Sequence, residues 1–202
     1  MYILGITPGE GVDLPRWSQV LESGIDAFMI REPQADAREL LVAARWVRET
    51  APDVTLWVNG RLDVALASKA GLHAPETYPK VPSGLLPLSQ PIHDPEQIGD
   101  RSLAHQLVLS PIYAVPGKGP AWGPERLHAV LDAMPPLGSR ILALGGITPD
   151  NVASLRHRRL DGVAVIRALW AGSDPKRCVA GMREAWIKAQ KEGGQAAPTR
   201  NA

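Results

Sequence analysis

The chain has 202 residues, of which 22 are lysine or arginine and 21 are aspartate or glutamate, so its formal net charge is +1. Because charges of both signs are interleaved, the sequence lacks the basic patch of a nucleic-acid-binding protein. The single cysteine excludes an internal disulfide and a multi-cysteine zinc site, and no apolar run is long enough to span a membrane. We therefore expect one cytoplasmic protein without a nucleic-acid or membrane partner.

Continuous apolar runs alternate with amphipathic stretches along the chain. A continuous apolar run is typical of a parallel strand that is buried on both faces. The predicted strands span residues 2–7, 25–30, 55–58, 72–74, 85–88, 106–109, 140–144 and 162–166. The predicted helices span 14–23, 35–50, 62–70, 124–134, 148–158 and 174–191, with a short helix beginning at Asp94 and a long loop at 110–123.

Eight strand–helix units predict an α/β protein with a single-domain (β/α)8 TIM-barrel fold over residues 1–192. An open doubly wound sheet is the alternative, although eight units close a barrel more naturally. The small polar tail, 193–202, is expected to be disordered. In a TIM barrel the functional residues follow the carboxyl ends of the strands, so those positions are the candidates for a site.

One such strand end has the pattern of a phosphate-binding turn. The seventh apolar run ends at Gly145 and Gly146 and passes into a helix-opening pattern in which Thr148 suits the N-cap. Glycines before a helix N-terminus leave backbone N–H groups for an anion. The eighth run ends nearby, at Ile166 and Arg167. Two neighbouring units of this kind predict a phosphate site, although an ordinary tight turn has the same local sequence.

Several strand ends taken together resemble one family. The motifs that carry the resemblance are Arg31-Glu32, Val58-Asn59 with Arg61, Gly71-Leu72-His73, Ser110-Pro111-Ile112-Tyr113 with Lys118, Gly145-Gly146-Ile147-Thr148-Pro149 and Gly162-Val163-Ala164-Val165-Ile166. In this order they resemble thiamine phosphate synthase and its TenI-type relatives over nearly the whole chain. The resemblance implies a barrel that binds a thiazole phosphate. The synthases join that phosphate to a pyrimidine diphosphate with bound magnesium, and some TenI-type relatives isomerise a thiazole carboxylate phosphate.

The resemblance carries over best at the phosphate end of the barrel. At the diphosphate end only the arginine of the family's glutamine–arginine–lysine set remains, with Met29 and Pro33 at the other two positions. The candidate substrate-binding and phosphate-binding residues are Arg31, Asn59, Ser89, Gly145, Gly146, Ile166 and Arg167.

The magnesium ligands that the resemblance implies are poorly matched. Asn59-Gly60 stands where the synthases have Asn-Asp, and Glu76 is the only acid near the second expected aspartate. Magnesium needs carboxylates together with substrate phosphates. We therefore expect no bound metal and no other cofactor.

Two residues are candidates for catalysis. Some TenI-type isomerases have a histidine just after strand 6, where this chain has Pro111. His93 follows strand 5, where the synthases have a Ser-x-His turn, and imidazole suits proton transfer near neutral pH. Lys118 matches the family's lysine and could meet a phosphate, or it could be solvated. His73 is expected to be a structural histidine of strand 4.

Three functions remain open. The first is a TenI-like barrel of thiamine biosynthesis that binds a thiazole phosphate, either with or without thiazole tautomerase activity. The second is a thiamine phosphate synthase with a relocated metal site, and the third is a non-catalytic barrel that binds a phosphorylated metabolite or regulates a partner. Six tryptophans are many for this length. Trp57 is expected in the core, whereas exposed Trp46, Trp170 and Trp186 would favour a homo-oligomer.

Overall fold

The computed structural model describes residues 1–82, 84–172 and 174–194. Eight parallel strands form one closed barrel in chain order, and the first strand also pairs with the last. The strands are β1 (Tyr2–Ile6), β2 (Ala27–Ile30), β3 (Thr55–Asn59), β4 (Gly71–His73), β5 (Leu88–Ile92), β6 (Gln106–Leu109), β7 (Arg140–Leu144) and β8 (Gly162–Val165). The predicted TIM barrel is therefore confirmed, and the open-sheet alternative is not.

Helices follow most of the strands and pack their apolar faces on the barrel. They are α1 (Leu14–Leu21), α2 (Ala37–Thr50), α3 (Leu62–Ser68), α4 (Gln97–Asp100), α5 (Gly123–Ala133), a 3₁₀ helix (Val152–Leu155), α6 (Arg167–Trp170) and α7 (Pro175–Gly194). In α2 one stripe of apolar side chains is buried and its N-terminus is capped by the Asp36 carboxylate, which accepts the N–H of Glu39.

The barrel interior is filled by side chains rather than open. Trp57 occupies much of it and is 3% exposed, as predicted. Its indole packs directly on Gly71 of the neighbouring strand, where any side chain would overlap the ring. The other buried apolar residues of this inner cluster are Leu4, Ile6, Ala27, Met29, Val108, Leu142 and Ala164. Because the interior is packed, a ligand can enter only at an end of the barrel.

Two predicted elements differ from the structure. The fifth strand was predicted at 85–88, but β5 begins at Leu88 and runs to Ile92, so Ser89 lies inside the strand. The apolar run was misleading because this strand carries polar Ser89 and Gln90 where the others carry aliphatic residues. The helix predicted at 148–158 is a single 3₁₀ turn, Val152–Leu155.

The tryptophans give no support to the predicted oligomer. Trp170 and Trp186 are 7% and 6% exposed, and Trp46 is only partly exposed. The indole N–H of Trp170 donates to the carbonyl of Ile6, so this ring closes the contact between α6 and β1. A homo-oligomer therefore remains a prediction, and the tryptophans no longer support it.

The C-terminal helix continues to Gly194, and the rest of the predicted tail, 195–202, lies outside the described residues. Within the described part of the chain, no helix combines the length and the apolar character needed to cross a bilayer.

Candidate active site

The carboxyl ends of the strands surround one end of the barrel, here termed the mouth. The residues that end or directly follow the strands there are Thr7, Arg31, Asn59, His73, His93, Ser110, Gly145 and Ile166. The fold thus brings most of the predicted site residues to one end of the molecule, where TIM-barrel enzymes hold their substrates.

The turn after β7 offers two backbone N–H groups. Gly145 and Gly146 have φ values of +112° and +64°, which lie in the left-handed region that favours glycine. Both are half-buried, and no hydrogen bond recorded for the described residues engages either N–H group. Two adjacent amides without protein partners at a strand end can receive an anion.

Asn151 shapes this turn, which sequence reasoning assigned to a helix N-terminus. The N–H of Thr148 donates to Oδ1 of Asn151 at 2.9 Å, and Nδ2 of Asn151 donates to the carbonyl of Gly146 at 2.9 Å. The carbonyl of Thr148 accepts the N–H of Val152 at 3.1 Å, but no recorded bond in the described residues is accepted by its side chain. The helix predicted here is a single 3₁₀ turn, Val152–Leu155, so the helix dipole can contribute little and the two glycine amides are the main donors.

Tyr113 supports the turn from the neighbouring loop. Its N–H donates to the carbonyl of Gly145 at 3.0 Å, and its hydroxyl donates to the carbonyl of Asn151 at 2.9 Å. A Cβ added at Gly146 would lie 2.7 Å from Cβ of Tyr113. Sequence reasoning missed the roles of Tyr113 and Asn151, although an asparagine three residues after Thr148 is a pattern of local turns.

The β8 side adds a second set of donors. Ile166 follows β8, and Arg167 begins α6 with an exposed side chain. Among the described residues, no recorded bond engages the N–H or the guanidinium of Arg167. Because β7 and β8 are adjacent, with Leu144 opposite Ala164, Arg167 and the glycine turn lie beside each other. We refer to the turn with Ile166 and Arg167 as the cradle.

A polar chain runs from the mouth into the barrel interior. Nδ1 of His73 lies 2.9 Å from Oγ of Ser89, and that oxygen also accepts a bond from Nε2 of Gln106 at 3.0 Å. Ser89 and Gln106 are 0% exposed. Ser89 was predicted to contact substrate, but it is enclosed between these two side chains. Its position instead fixes the orientation of His73.

His73 is neutral at physiological pH. Burial, with the nearby charges of His93, Arg31 and Arg101, lowers the pKa of His73 to about 4 from the usual value of 6.5. Part of the residue faces the mouth, but the ring lies deep among protein atoms. A neutral imidazole at this place can donate or accept a hydrogen bond without adding charge.

This low pKa predicts a pH-dependent loss of stability. The unfolded chain binds a proton at His73 below about pH 6.5, whereas the folded chain resists it until about pH 4, so stability falls as the pH falls through this window. We expect His73 to account for about 3 kcal/mol of that loss. Urea unfolding at about pH 7 and about pH 4.5 should therefore show a smaller difference for His73→Asn than for the wild type.

The matched control is His105→Asn, because His105 is exposed and the asparagine Oδ1 can still accept the N–H of Leu88 that Nδ1 of His105 accepts at 3.2 Å. That variant should change the pH dependence less than His73→Asn does. An equal pH dependence in His73→Asn and the wild type would contradict the low pKa of His73.

His93 lies at the mouth with its Nδ1 against Ser110. Nδ1 is 3.0 Å from the carbonyl oxygen of Ser110, which can only accept, and 3.2 Å from its Oγ, which can accept or donate. The carbonyl contact favours the tautomer with the proton on Nδ1. Nε2 of the neutral ring is then left with its lone pair. His93 is exposed, as a group that exchanges protons with a ligand must be.

Lys118 lies on the exposed loop after β6. The two ends of this loop are joined by backbone bonds from Trp122 to Pro111 and from Gly123 to Ile112, both 2.9 Å. The segment between the joined ends, 114–121, is largely exposed and carries Lys118. Lys118 is thus on a loop tied to the cradle side of the mouth.

Arg31 is held beside the loop after β1. Its N–H donates to Oγ1 of the buried Thr7 at 2.8 Å, and its guanidinium lies beside Gly9. The adjacent Glu32 is 5% exposed and accepts the N–H groups of Gly9 and Gly11 at 3.2 and 2.7 Å. Glu32 therefore fixes the loop against which Arg31 packs. Sequence reasoning did not find this role.

Asn59 completes the mouth between Arg31 and His73. It ends β3 opposite His73, and no side-chain bond is recorded for its amide within the described ranges.

Two hollows of about 270 Å³ lie away from the mouth. One is beside α2 and the other is at the opposite end of the barrel near Trp57, and neither includes a mouth residue.

Comparison with known proteins places the chain among a consistent set of relatives. No protein-family model matches the chain. A thiamine-phosphate synthase of Moorella thermoacetica is 33% identical over 181 residues, which cover 84% of this chain and 86% of the relative. A second, from Koribacter versatilis, is 34% identical over 176 residues and 79% of each chain.

Among solved structures, thiamine phosphate pyrophosphorylase from Pyrococcus furiosus superposes with a TM-score of 0.80 at 21% identity, over 93% of this chain and 96% of that one. At this identity the likeness supports the fold alone.

Proposed function

This chain belongs to the thiamine-phosphate synthase and TenI family, and we propose that it binds a thiazole phosphate in the cradle and joins it to a pyrimidine carried as a diphosphate. The relatives named thiamine-phosphate synthase cover about four-fifths of this chain and of their own length, which supports the synthase over other phosphate-binding barrels. The observation that carries the proposal is the pair of unpartnered amides at Gly145 and Gly146.

The proposed reaction needs two anionic groups held at separate places around the mouth, the cradle at β7 and β8 and Arg31 after β2, with β1 between them. The cradle would take the thiazole phosphate, with Arg167 adding a charge-assisted bond. Arg31, on the β2 side, would face the diphosphate as it leaves and stabilise its developing charge. Asn59 and His73, which end β3 and β4, follow Arg31 around the mouth and would contact the pyrimidine. Holding two reactants in one orientation supplies much of the rate of such a condensation.

A second candidate, thiazole tautomerase, has one observation in its favour. Moving a proton between ring carbons needs an acid or base at the ligand, and His93 has its Nε2 lone pair at the mouth. Lys118 could assist either reaction by meeting a phosphate. Binding without turnover would instead indicate the third hypothesis, a non-catalytic barrel.

Binding and turnover can be measured on the same preparation. A thiazole phosphate at about 100 times its Kd should stabilise the protein by about 2.7 kcal/mol and raise Tm by about 5–10 °C. Incubation with the thiazole phosphate and the pyrimidine diphosphate should then release diphosphate and form the joined product. An unchanged Tm would contradict the proposal at its first step.

The products decide among the candidates. The joined product supports the synthase, and a rearranged thiazole carboxylate phosphate supports the tautomerase. Stabilisation with neither product, in a folded sample, would leave only binding.

A further inference from the structure

The carboxylates on the β3–β4 side of the mouth already form hydrogen bonds and ion pairs with other side chains. Asp63 is held by two hydrogen bonds from Arg61, at 3.0 and 2.6 Å, and these lower its pKa. The carboxylate of Glu76 accepts a bond from Gln97 and lies 3.8 Å from the guanidinium of Arg101. Glu76 thus joins the segment after β4 to α4.

The acid on the β2 side is engaged as well. Both oxygens of Glu32 accept backbone N–H groups, and the residue is almost fully buried. Asn59 supplies one amide oxygen, and the next residue is Gly60. Within residues 1–82, 84–172 and 174–194, no group of three or more histidine, cysteine, aspartate or glutamate side chains is arranged to hold a metal ion. The donor set therefore does not fit the magnesium that the family resemblance implies.

Arg31 gives the β2 side of the mouth a positive charge. The guanidinium of Arg101 is balanced by Glu76, which lies 3.8 Å away. Arg31, by contrast, forms no recorded ion pair in the described part of the chain, and the adjacent Glu32 is occupied by the N–H groups of Gly9 and Gly11. A divalent cation placed there would be repelled, whereas an anion would be attracted.

We infer that the β2–β4 side of the mouth binds the anionic end of its ligand directly through Arg31, without a divalent cation bound by the protein. This inference rests on the proposed function, since it concerns the second substrate of the same site. It departs from the magnesium-dependent synthases, which the chain otherwise resembles. In this chain the positive charge beside the diphosphate would come from the guanidinium of Arg31, which lies beside Gly9, while Thr7 holds the backbone N–H of the same residue.

Calorimetric titration with inorganic pyrophosphate tests the inference, in buffer with EDTA and in buffer with excess magnesium chloride. The wild type should bind pyrophosphate in EDTA, and magnesium should not tighten binding. Arg31→Met should weaken binding in EDTA by ~10-fold or more, because a charge-assisted contact is lost. Arg31→Lys keeps the charge but lacks the planar guanidinium, so its affinity for pyrophosphate should lie between those of the wild type and Arg31→Met.

Arg45→Met is the matched control, because Arg45 is exposed on α2, away from the mouth. It should bind pyrophosphate as the wild type does. Three results would overturn the inference: no binding in EDTA, tightening of ~10-fold or more by magnesium, or equal affinities of Arg31→Met and Arg45→Met.

A parallel titration with thiazole phosphate separates this inference from the proposed function. If thiazole phosphate binds in EDTA but pyrophosphate needs magnesium, only the inference fails. If thiazole phosphate does not bind at all, the proposed function fails, whatever pyrophosphate does.

Discussion

Gly146→Ala should weaken thiazole phosphate binding by about 100-fold, which corresponds to the loss of about 3 kcal/mol of charge-assisted bonding from the turn. The backbone at Gly146 has a φ of +64°, which disfavours any side chain, and the new methyl would lie 2.7 Å from Cβ of Tyr113. Relief of that overlap must rotate the turn or displace Tyr113. Either movement redirects the amides on which the proposed phosphate site depends. Calorimetric titration measures the loss.

Gly84→Ala is the control that separates crowding from backbone strain. Gly84 has a φ of +77°, but a methyl there would have open space around it. This variant should lose about as much stability from backbone strain as Gly146→Ala does, but it should keep the wild-type affinity for thiazole phosphate. If Gly146→Ala remains folded and binds as tightly as Gly84→Ala, the phosphate is not held at this turn.

Gly162→Ala should destabilise the whole barrel by about 3 kcal/mol or more, lowering Tm by about 10 °C. Gly162 pairs with Tyr2 where β8 closes on β1, and a Cβ there would overlap the backbone of Tyr2. Backbone atoms cannot move aside as a side-chain end can, so the two strands would have to separate. The closure of the barrel depends on that pairing.

Gly138→Ala provides the comparison, because Gly138 lies before β7 with nothing near the position of its Cβ. Urea unfolding should show a large drop in midpoint for Gly162→Ala and little change for Gly138→Ala. A small effect at both sites would mean that the β1–β8 seam is looser than the structure indicates.

The sequence was a good guide to the barrel because its parallel strands are buried on both faces. Buried parallel strands are continuous apolar runs, and seven of the eight were placed within about two residues at each end, the usual uncertainty of such boundaries. β5 was misplaced because its inward side chain, Ser89, bonds to His73 and Gln106 and so interrupts the apolar run. No local sequence pattern distinguishes a serine that is buried in such a chain of hydrogen bonds from a serine in an exposed loop.

Pairs of residues that meet only in the folded chain explain what sequence reasoning missed at the mouth. The two glycines of the cradle were found because their conformational freedom is visible in the sequence. The clamp by Glu32 on Gly9 and Gly11 and the support of Gly146 by Tyr113 each join segments more than twenty residues apart. Such contacts depend on the register of neighbouring strands, which a single sequence does not state.

The two backbone bonds that join Pro111 to Trp122 and Ile112 to Gly123 also separate the loop between them from the rest of the fold. If the chain were cut after Lys118, both segments would still be held to the barrel by these two bonds. A longer segment inserted there would likewise begin and end at the same two bonds. The reach and composition of this loop can therefore vary in evolution or by engineering with little effect on folding. Under the proposed function, in which Lys118 meets a phosphate, changes in this loop would alter substrate preference while preserving the barrel.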